Sequence, residues 1–426
     1  MNKLQSIRGM HDVLPERSAL WQWLENELRS IAGRYDFNEI RVPIVENIEV
    51  FTRAIGQTTD VVEKEMYAFP DRNEDVLALR PEGTAGVVRS AIQHGLLHTP
   101  GLKVWYTGPM FRHERPQKGR QRQFYQFGAE VFGLEQPATD VELILMVEQI
   151  WRVLGLRDRV ELQINSLGDK ADRISYRETL LDYLRPFSGQ LDEDSRRRLD
   201  RNPLRIFDSK NPETQAIMAD APRLSDHLGF EAQAHFDEVL RMLDMLEVPY
   251  RINTGLVRGL DYYCRTVFEW VSGDLGAQGT VCAGGRYDEL VEMQGGKATP
   301  GIGFAMGIER VVALLEESGK QSHQRPDAYL VSRIDPAWML SIAEQLRTRI
   351  PDLKLAVSLA GGSFKAQFKR ADRSGARYAI ILGPEEMEQG VVQVKDMRAA
   401  ENIQHTIELD KLAGWIKDRI GESGNV

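Results

Sequence analysis

The chain has 426 residues, too many for one ordinary core, so its length predicts two or three domains. With 42% hydrophobic and 27% charged residues it is composed like a globular protein, which excludes a largely disordered chain. A formal net charge of -9 and a pI near 5.6 exclude a surface that binds phosphates everywhere, so any nucleic-acid site must be local.

The N-terminal residues, MNKLQSIRGMHDV, lack the apolar core of a secretory signal. The longest aliphatic runs, such as LILMV from Leu143 to Val147, are too short to span a bilayer. Two cysteines, Cys264 and Cys282, fit neither a disulfide framework nor the spacing of a metal site. We therefore expect a cytoplasmic protein with no membrane partner, in which both thiols are reduced and buried.

A helix is predicted near the N-terminus, because apolar residues recur there at helical spacing up to the stop signal Gly33. The next segment, EIRVPIVE (39–46), predicts a short extended stretch in which Pro43 requires an edge, a bulge or an interface. The helical repeat consists of Trp21, Leu24, Leu28 and Ile31.

The segment VLALRPEGTAGVVRSAI (76–92) predicts a strand that leads into a helix beginning near Glu82 to Thr84. Exposed N–H groups at such a helix start favour a ligand, although these two side chains could equally serve as caps. Beyond it, His94 and His98 have the i, i+4 spacing of a metal pair on a helix. Since no third ligand is apparent, we assign no metal site to protein side chains.

The stretch RHERPQKGRQRQFYQFGAEVFG (112–133) joins a basic loop to an alternating strand. From Arg112 to Arg122 there are five lysines or arginines and one acid, Glu114, which suits a bound polyanion or a solvated loop. One face of the strand is wholly apolar and must be core, so the other presents a row at intervals of about 6.6 Å. This row could stack a base, bind an amine and end at a polar side chain; it comprises Phe124, Gln126, Gly128 and Glu130.

The segment GIGFAMGIER (301–310) predicts a nucleotide site of an unfamiliar type. Gly301, Gly303 and Gly307 leave an extended segment without side chains, and Arg310 begins the helix that follows. Neither the P-loop pattern nor the dinucleotide GxGxxG pattern is present.

Residues 171–226 are highly charged and have short apolar runs, which predicts a small helical insertion. Polar residues with Gly and Pro predict a linker near residue 320, and strands alternating with amphipathic helices predict a compact α/β domain after it. Its basic residues form the cluster Lys365, Lys369, Arg370, Arg373 and Arg377.

These segments together resemble one known family. EIRVPIVE, FRHERPQKGRQRQFYQFGAE and GIGFAMGIER are similar to the three motifs of class II aminoacyl-tRNA synthetases. RPEGTAG, LVRGLDYY (256–263) and AGGRYD (283–288) are similar to segments of the histidyl-tRNA synthetases in particular. The similarity covers nearly the whole chain, and the C-terminal domain resembles the anticodon-binding domain of that family.

The resemblance implies an α+β fold, in which an antiparallel-sheet catalytic domain with a helical insertion precedes an α/β anticodon-binding domain. We expect the catalytic domain at 1–320, with the insertion at about 171–226, a linker at 321–327 and the anticodon-binding domain at 328–426. It also implies a homodimer formed near Pro43.

The implied reaction joins histidine and ATP into histidyl-adenylate and then passes the histidyl group to the 3′ end of its tRNA. ATP would be a substrate, and Mg²⁺ would be bound mainly through its phosphates. The implied catalytic residues are Arg112 and Arg258. Histidine would be bound by Glu82, Thr84, Arg112, Gln126, Glu130, Arg258, Tyr262 and Tyr263. ATP would be bound by Arg112, Glu114, Arg120, Phe124, Gly303 and Arg310. The tRNA would be bound by Arg115, Lys118, Lys365, Lys369 and Arg370.

Three alternatives share parts of this pattern. Regulatory relatives of the histidyl-tRNA synthetases bind histidine without charging tRNA, but they lack the C-terminal domain and tend to lose catalytic arginines. A threonyl, prolyl or glycyl enzyme would carry the three motifs, but LVRGLDYY disfavours it. An RNA-binding or sensor module would be expected to have lost the glycines of GIGFAMGIER.

Overall fold

The computed structural model describes residues 3–56, 59, 61–117, 119–257, 260–320, 325–399 and 403–421. The chain divides into two compact units between residues 322 and 323. In the first unit the strands are β1 (Asn38–Glu39), β2 (Val45–Asn47), β3 (Ala68–Pro70), β4 (Val76–Leu79), β5 (Leu102–Phe111), β6 (Gln123–Phe132), β7 (Glu161–Ser166), β8 (Tyr250–Ile252), β9 (Cys264–Val271), β10 (Thr280–Arg286) and β11 (Gly301–Gly307).

Eight of these strands form one large sheet in the order β1-β5-β6-β11-β10-β9-β7-β8. The central pairs are antiparallel, whereas the outer strands β1 and β8 pair in parallel with their neighbours. A separate three-stranded sheet has the order β2-β4-β3. The helices of this unit are α1 (Pro15–Arg34), α2 (Glu49–Ile55), α3 (Thr84–Gln93), α4 (Pro137–Leu154), α5 (Lys170–Leu184), α6 (Glu193–Arg201), α7 (Pro212–Ala219), α8 (Phe230–Met245), α9 (Leu290–Met293) and α10 (Ile308–Glu317).

Helices α1, α4, α8 and α10 bury their apolar sides against one face of the large sheet. The predicted N-terminal helix is confirmed as α1, which begins with Pro15 at its first position, where a missing N–H does no harm. Its Trp21 ring meets the Tyr125 ring edge-on, with centroids 5.2 Å apart. Residues on the opposite side of the sheet belong to a second core that includes α2 and α3.

The predicted alternation of β6 is confirmed. Phe127, Ala129 and Val131 are buried in the core of α1 and α4, and Tyr125 packs against it. Because successive side chains of a strand point to opposite faces, Phe124, Gln126 and Glu130 face the other way, as expected.

Helices α5, α6 and α7 lie in the charged segment predicted to be an insertion. Asp192 ties this segment together, because it accepts hydrogen bonds from the hydroxyls of Ser195, Ser209 and Thr214 at 2.7, 2.8 and 2.9 Å. The segment is therefore held by polar contacts as well as by its apolar residues.

The second unit is a mixed five-stranded sheet with helices, and the predicted sequence of a mainly antiparallel domain followed by an α/β domain is confirmed. Its sheet order is β13-β12-β14-β15-β16, and the pairs that involve β12 are parallel. The elements are β12 (Ala328–Ser332), α11 (Pro336–Arg349), β13 (Leu355–Val357), α12 (Phe364–Ser374), β14 (Tyr378–Leu382), α13 (Pro384–Gln389), β15 (Val391–Asp396), β16 (Gln404–Glu408) and α14 (Leu412–Gly421).

Within the described ranges, every helix is too short or too polar to traverse a lipid bilayer.

Candidate active site

A cavity of about 310 Å³ lies beside β6, β10 and β11 of the first unit. It brings together side chains from Glu82 to Arg310, which are more than two hundred residues apart in the chain. All six residues predicted to bind ATP line it: Arg112, Glu114, Arg120, Phe124, Gly303 and Arg310.

The same cavity receives most of the residues predicted to bind histidine. Glu130 lies behind the lining and is 1% exposed. Arg258 lies outside the described residues, but Leu260, two positions later, lines the cavity. The lining includes Glu82, Thr84, Arg112, Gln126, Tyr262 and Tyr263.

Arg115, the described residue of the first unit that is predicted to bind tRNA, does not line the cavity. Arg115 is exposed in the loop before β6, and Lys118 lies outside the described residues. In the second unit Lys365 and Lys369 are exposed on α12, one turn apart. Arg370 turns toward the preceding loop, where its Nη2 donates to Ser358 Oγ at 3.0 Å and to the carbonyl of Gly361.

Arg112 is held at the cavity wall by the backbone. Its Nε donates to the carbonyl of Pro81 at 2.9 Å, and its guanidinium carbon lies 5.3 Å from the centre of the Phe124 ring. A carboxylate oxygen of Glu114 is 3.9 Å from Arg112 Nη1. The guanidinium is thus oriented before any ligand arrives, which is what a charge-stabilising donor requires.

Arg310 is also oriented by backbone carbonyls, one in the loop before β6 and one at the first residue of β10. Its Nε donates to the carbonyl of Gly119 at 3.0 Å, and its Nη1 donates to the carbonyl of Thr280. Burial and the nearby Arg120 lower the pKa of Arg310. A bound anion in this part of the cavity would therefore stabilise the charged guanidinium. Arg120 is more exposed and pairs with Glu114, Nε to Oε2, at 2.6 Å.

Glu82 combines the two roles that the sequence left open. Its carboxylate accepts the backbone N–H groups of Thr84 at 2.7 Å and Ala85 at 2.9 Å, so it caps the start of α3. It also lines the cavity, although it is only 4% exposed. Burial raises the pKa of Glu82 against these backbone hydrogen bonds.

Glu130 lies at the centre of a buried hydroxyl cluster. Its Oε1 accepts Thr84 Oγ1 at 2.7 Å and the Tyr106 hydroxyl at 3.2 Å, and its Oε2 accepts the Tyr287 hydroxyl. Burial raises the pKa of Glu130 to about 8, and repulsion from Glu82 adds to the shift. Two neighbouring carboxylates that resist ionisation make this end of the cavity suited to a ligand with positive charge or N–H groups.

The sequence reasoning missed Tyr106 and Tyr287. Tyr106 is 2% exposed, and its ring fills the space left by Gly83 and Gly128, at each of which an added Cβ would overlap that ring. Gly128, predicted as a gap in the row on β6, therefore admits a tyrosine that reaches Glu130. Tyr287 was part of the quoted motif AGGRYD but had no assigned role.

The glycines of GIGFAMGIER serve partly a different purpose from the one predicted. A Cβ on Gly303 would overlap Glu130 Oε2, and a Cβ on Gly301 would press on the Tyr287 ring. At Gly307 an added Cβ would lie 3.6 Å from the Arg310 side chain, an ordinary contact. The absent side chains at 301 and 303 therefore make room for Glu130 and Tyr287 as well as for a ligand.

Gln126 presents an unsatisfied acceptor. Its Oε1 is buried and has no hydrogen-bond partner among the residues that the structure describes. Buried side-chain oxygens are nearly always hydrogen-bonded, and Gln126 lines the cavity, so a ligand that brings a donor group would satisfy this oxygen.

Glu309 is a further cavity residue that the sequence did not single out. Both of its carboxylate oxygens accept the backbone N–H of Tyr125, at 2.9 and 3.0 Å. Tyr125 precedes Gln126, which pairs with Gly307, the last residue of β11. The Glu309 side chain therefore continues the hydrogen bonding of β6 beyond the end of β11. Burial raises the pKa of Glu309 to about 7.

Among the described residues, no group of three or more His, Cys, Asp or Glu side chains could hold a metal ion. His94 follows the last residue of α3, and His98 lies in a separate 3₁₀ turn. The interpretation of these two histidines as neighbours on one helix is therefore wrong.

The fold is that of a class II aminoacyl-tRNA synthetase: a mainly antiparallel sheet has one arginine in the loop before β6 and another at the start of α10, and a separate α/β domain follows. A family model described as histidyl-tRNA synthetase matches residues 9–311, and one described as anticodon binding domain matches residues 334–419.

Individual relatives agree. The chain is 55% identical over 419 residues to a histidine–tRNA ligase of Halorhodospira halophila, covering 98% of this chain and 99% of the relative. It also resembles the crystal structure of apo S. aureus histidyl-tRNA synthetase, with a TM-score of 0.82 and 36% identity over 97% of this chain and 100% of that one. The chain belongs to the histidyl-tRNA synthetase family.

A more distant structure shares the fold alone. It is titled an ATP phosphoribosyltransferase regulatory subunit/histidyl-tRNA synthetase from Bacillus halodurans C. Its TM-score is 0.64 at 20% identity, over 90% of this chain and 99% of that chain.

Proposed function

We propose that the chain is an ATP-dependent histidine–tRNA ligase. In the first step the carboxylate of L-histidine attacks the α-phosphorus of ATP, which forms histidyl-adenylate and releases pyrophosphate. In the second step the histidyl group passes to the terminal ribose of the tRNA and AMP leaves. The observation that carries the proposal is one cavity with oriented arginines at one end and raised-pKa carboxylates beside an unsatisfied Gln126 oxygen at the other.

The arginine end suits ATP. Arg112 would grip the α-phosphate, Arg310 and Arg120 the outer phosphates, and Phe124 would stack the adenine, with Glu114 and Gly303 beside the nucleotide. Arg258, which lies outside the described residues, would bind the histidine carboxylate and the α-phosphate together. Two anions must approach in this reaction, so fixed guanidinium groups lower a large electrostatic barrier. A general base is unnecessary because the attacking carboxylate is already ionised.

The carboxylate end suits histidine. Its ammonium group would donate to Gln126 Oε1, Glu82 and Thr84, which supplies the partner that the amide oxygen lacks. Its imidazole would lie against Tyr262 and Tyr263, with Glu130 receiving an N–H. An isostere of histidine without that N–H would leave a buried polar group of the site unpaired. Such a loss discriminates against a substrate analogue more strongly than a small difference in apolar size does.

Mg²⁺ would arrive with ATP and be bound mainly through its phosphates, the arrangement that this small and strongly hydrated ion prefers. The ion would supply charge neutralisation on the outer phosphates. The chain's own residues would hold the α-phosphate and the two substrates in line.

The tRNA would contact both units. Arg115 and Lys118 in the loop before β6 would meet the end that is charged, and Lys365, Lys369 and Arg370 would meet phosphates near the anticodon. The match to an anticodon-binding domain at 334–419 and the exposure of Lys365 and Lys369 support the second contact.

A homodimer would form through the small sheet β2-β4-β3. Apolar side chains there are exposed, among them Ile44, Val45, Phe69 and Val76. A second copy of the chain would cover these exposed apolar side chains beside Pro43. Sedimentation of the wild type and of Phe69→Asp tests this; an unchanged mass for the charged variant would contradict it.

We place the domain limits at 1–320 for the catalytic domain, about 171–226 for the insertion, 321–327 for the linker and 328–426 for the anticodon-binding domain. The family matches at 9–311 and 334–419 support these limits. Work in the cytoplasm suits the free, buried thiols of Cys264 and Cys282.

The regulatory alternative is not favoured. Relatives at 55% and 54% identity, each matched over 98% of this chain, are named histidine–tRNA ligases. Arg112 and Arg310 are oriented at one cavity, and a regulatory protein would have no need of that geometry.

The test is ATP–pyrophosphate exchange by the purified protein with each of the twenty amino acids in turn. We expect exchange with histidine alone, followed by histidine-dependent charging of the matching tRNA. Exchange driven by threonine, proline or glycine, or none with histidine, would overturn the proposal.

A further inference from the structure

A buried polar cluster lies on the side of the large sheet away from the cavity. We call Asp140, His235, Arg286 and Asp288 the Asp140 cluster. Asp140 is on α4 and His235 on α8, the helices that cover the sheet, whereas Arg286 is the last residue of β10. Asp140 and Arg286 are 0% exposed.

Each of the three guanidinium nitrogens of Arg286 donates a hydrogen bond. Arg286 Nε donates to Asp140 Oδ1 at 2.8 Å, its Nη1 to Asp288 Oδ1 at 3.0 Å, and its Nη2 to the carbonyl of Leu134 at 2.8 Å. His235 Nε2 is 2.8 Å from Asp140 Oδ2. Arg286 is thus bonded at once to α4 through Asp140, to the loop after β10 through Asp288 and to the loop between β6 and α4 through Leu134.

Tyr287 follows Arg286 directly and points to the opposite core, where its hydroxyl donates to Glu130. Its backbone is fixed too, because Tyr287 N–H donates to the carbonyl of Gly301 at 2.8 Å and Gly301 N–H donates to Asp288 Oδ1 at 3.1 Å. The Asp140 cluster therefore fixes the backbone from which the Tyr287 hydroxyl reaches Glu130.

A buried charged cluster is weak evidence for stability, since apolar residues of similar volume often stabilise as well. A buried hydrogen-bond network that joins several segments does, however, favour one arrangement of the chain. None of the four members, all of which the structure describes, lines the cavity, so substrate contact does not explain their presence.

We propose that the Asp140 cluster is a positioning unit for imidazole recognition, which acts through Tyr287 by orienting Glu130. The inference rests on the proposed function, in which Glu130 receives an N–H of histidine. A small displacement of the Tyr287 hydroxyl would turn the Glu130 carboxyl away from the imidazole. The affinity for histidine would fall, whereas ATP, at the other end of the cavity, would bind as before.

The experiment measures KM for histidine and for ATP in pyrophosphate exchange. Asp140→Asn keeps the shape of the side chain but removes its charge. We expect KM for histidine to rise about tenfold, the scale of one lost hydrogen bond to a charged group, and KM for ATP to change less than about twofold. His235→Phe removes only the contact between the His235 ring and Asp140 Oδ2, and we expect a rise of about threefold in KM for histidine. This variant decides the matter if Asp140→Asn does not fold.

Glu148→Gln is the matched control. Glu148 lies on the same helix, is 3% exposed and accepts Arg152 Nε at 2.9 Å and Arg157 Nε at 2.6 Å, but neither partner lines the cavity. We expect a lower melting temperature with both KM values unchanged. If Asp140→Asn behaves like Glu148→Gln, or raises both KM values equally, the proposal is wrong.

A double-mutant cycle with Tyr287→Phe isolates the route of action. If the Asp140 cluster works through the Tyr287 hydroxyl, Asp140→Asn should add little to KM for histidine once that hydroxyl is gone. Additive effects would overturn the proposal. Failure of the wild type to exchange with histidine would instead defeat the proposed function, so the two failures are distinguishable.

Discussion

The two ends of the cavity differ in the charge and in the burial of their side chains. At the nucleotide end, arginines partly open to solvent are aimed by backbone carbonyls, those of Pro81, Gly119 and Thr280. At the end proposed for the amino acid, Glu130 on β6 and Glu82 just before α3 are buried, and burial raises the pKa of both. Under the proposed function each end therefore lacks the charge that one substrate would bring, and the site would be electrostatically complete only with both substrates bound.

The largest expected effect comes from removing an arginine. Arg112→Ala should slow adenylate formation by about 10²- to 10³-fold, the scale for one preorganised donor, and Arg258→Ala should do the same. Rapid-quench measurement of a single turnover gives the rate. Arg115→Ala, an exposed arginine of the same loop, is the control and should leave this step unchanged. A near-normal rate for either variant would refute its role.

A smaller effect separates two glycines of one strand. Gly303→Ala would force Glu130 aside, so we expect a loss of about 1–3 kcal/mol in unfolding free energy and weaker binding of histidine. Gly307→Ala meets only the Arg310 side chain at 3.6 Å and should be nearly neutral. Chemical denaturation and calorimetric titration with histidine measure both; equal behaviour of the two variants would show that Glu130 does not depend on this gap.

The pKa of Glu130 predicts a pH-dependent difference in stability. In the unfolded chain this carboxyl ionises near its ordinary value of 4.5, whereas in the folded chain it ionises at about 8. Between these two pH values Glu130 therefore keeps a proton in the folded chain that it has lost in the unfolded chain. The unfolding free energy of the wild type should fall relative to that of Glu130→Gln by roughly 1.4 kcal/mol per pH unit across that window.

Urea denaturation at several pH values from 5 to 9 checks this dependence, and Glu309, which is present in both proteins, cancels in the difference. A constant difference between the two proteins would mean that Glu130 is already ionised when folded.

The smallest effect concerns the second unit. Replacing Lys365 and Lys369 by Gln should weaken tRNA binding and reduce the slope of log affinity against log salt by about 1–2, as expected for two lost phosphate contacts. Lys354 and Lys411, also exposed in this unit, provide the control pair. An unchanged affinity and slope would mean that the tRNA contacts another surface.

Local sequence patterns predicted the structural features that depend on a single strand or helix. The alternation of β6 was readable because side chains reverse every residue, so Phe124 and Gln126 could be assigned to one face before any partner strand was known. The start of α3 at Thr84 was readable from the change of period after RPEG.

Contacts across the sheet were beyond a single sequence. Tyr106 and Tyr287 reach Glu130 only because β5 and β11 flank β6 in a particular register, which pairs Gly303 with Glu130. Asp140 meets Arg286 across 146 positions. Glycines 301 and 303 could be recognised as necessary, but the residues that require their small size come from other parts of the chain.

The most direct test is a crystal structure with histidine and a non-hydrolysable ATP analogue. We expect both ligands in the cavity beside β6, with the histidine ammonium within hydrogen-bond distance of Gln126 Oε1, the imidazole facing Glu130, and the α-phosphate between the guanidinium groups of Arg112 and Arg258. Ligands in separate cavities, or a histidine whose ammonium leaves Gln126 Oε1 unpaired, would contradict the assignment of the two ends.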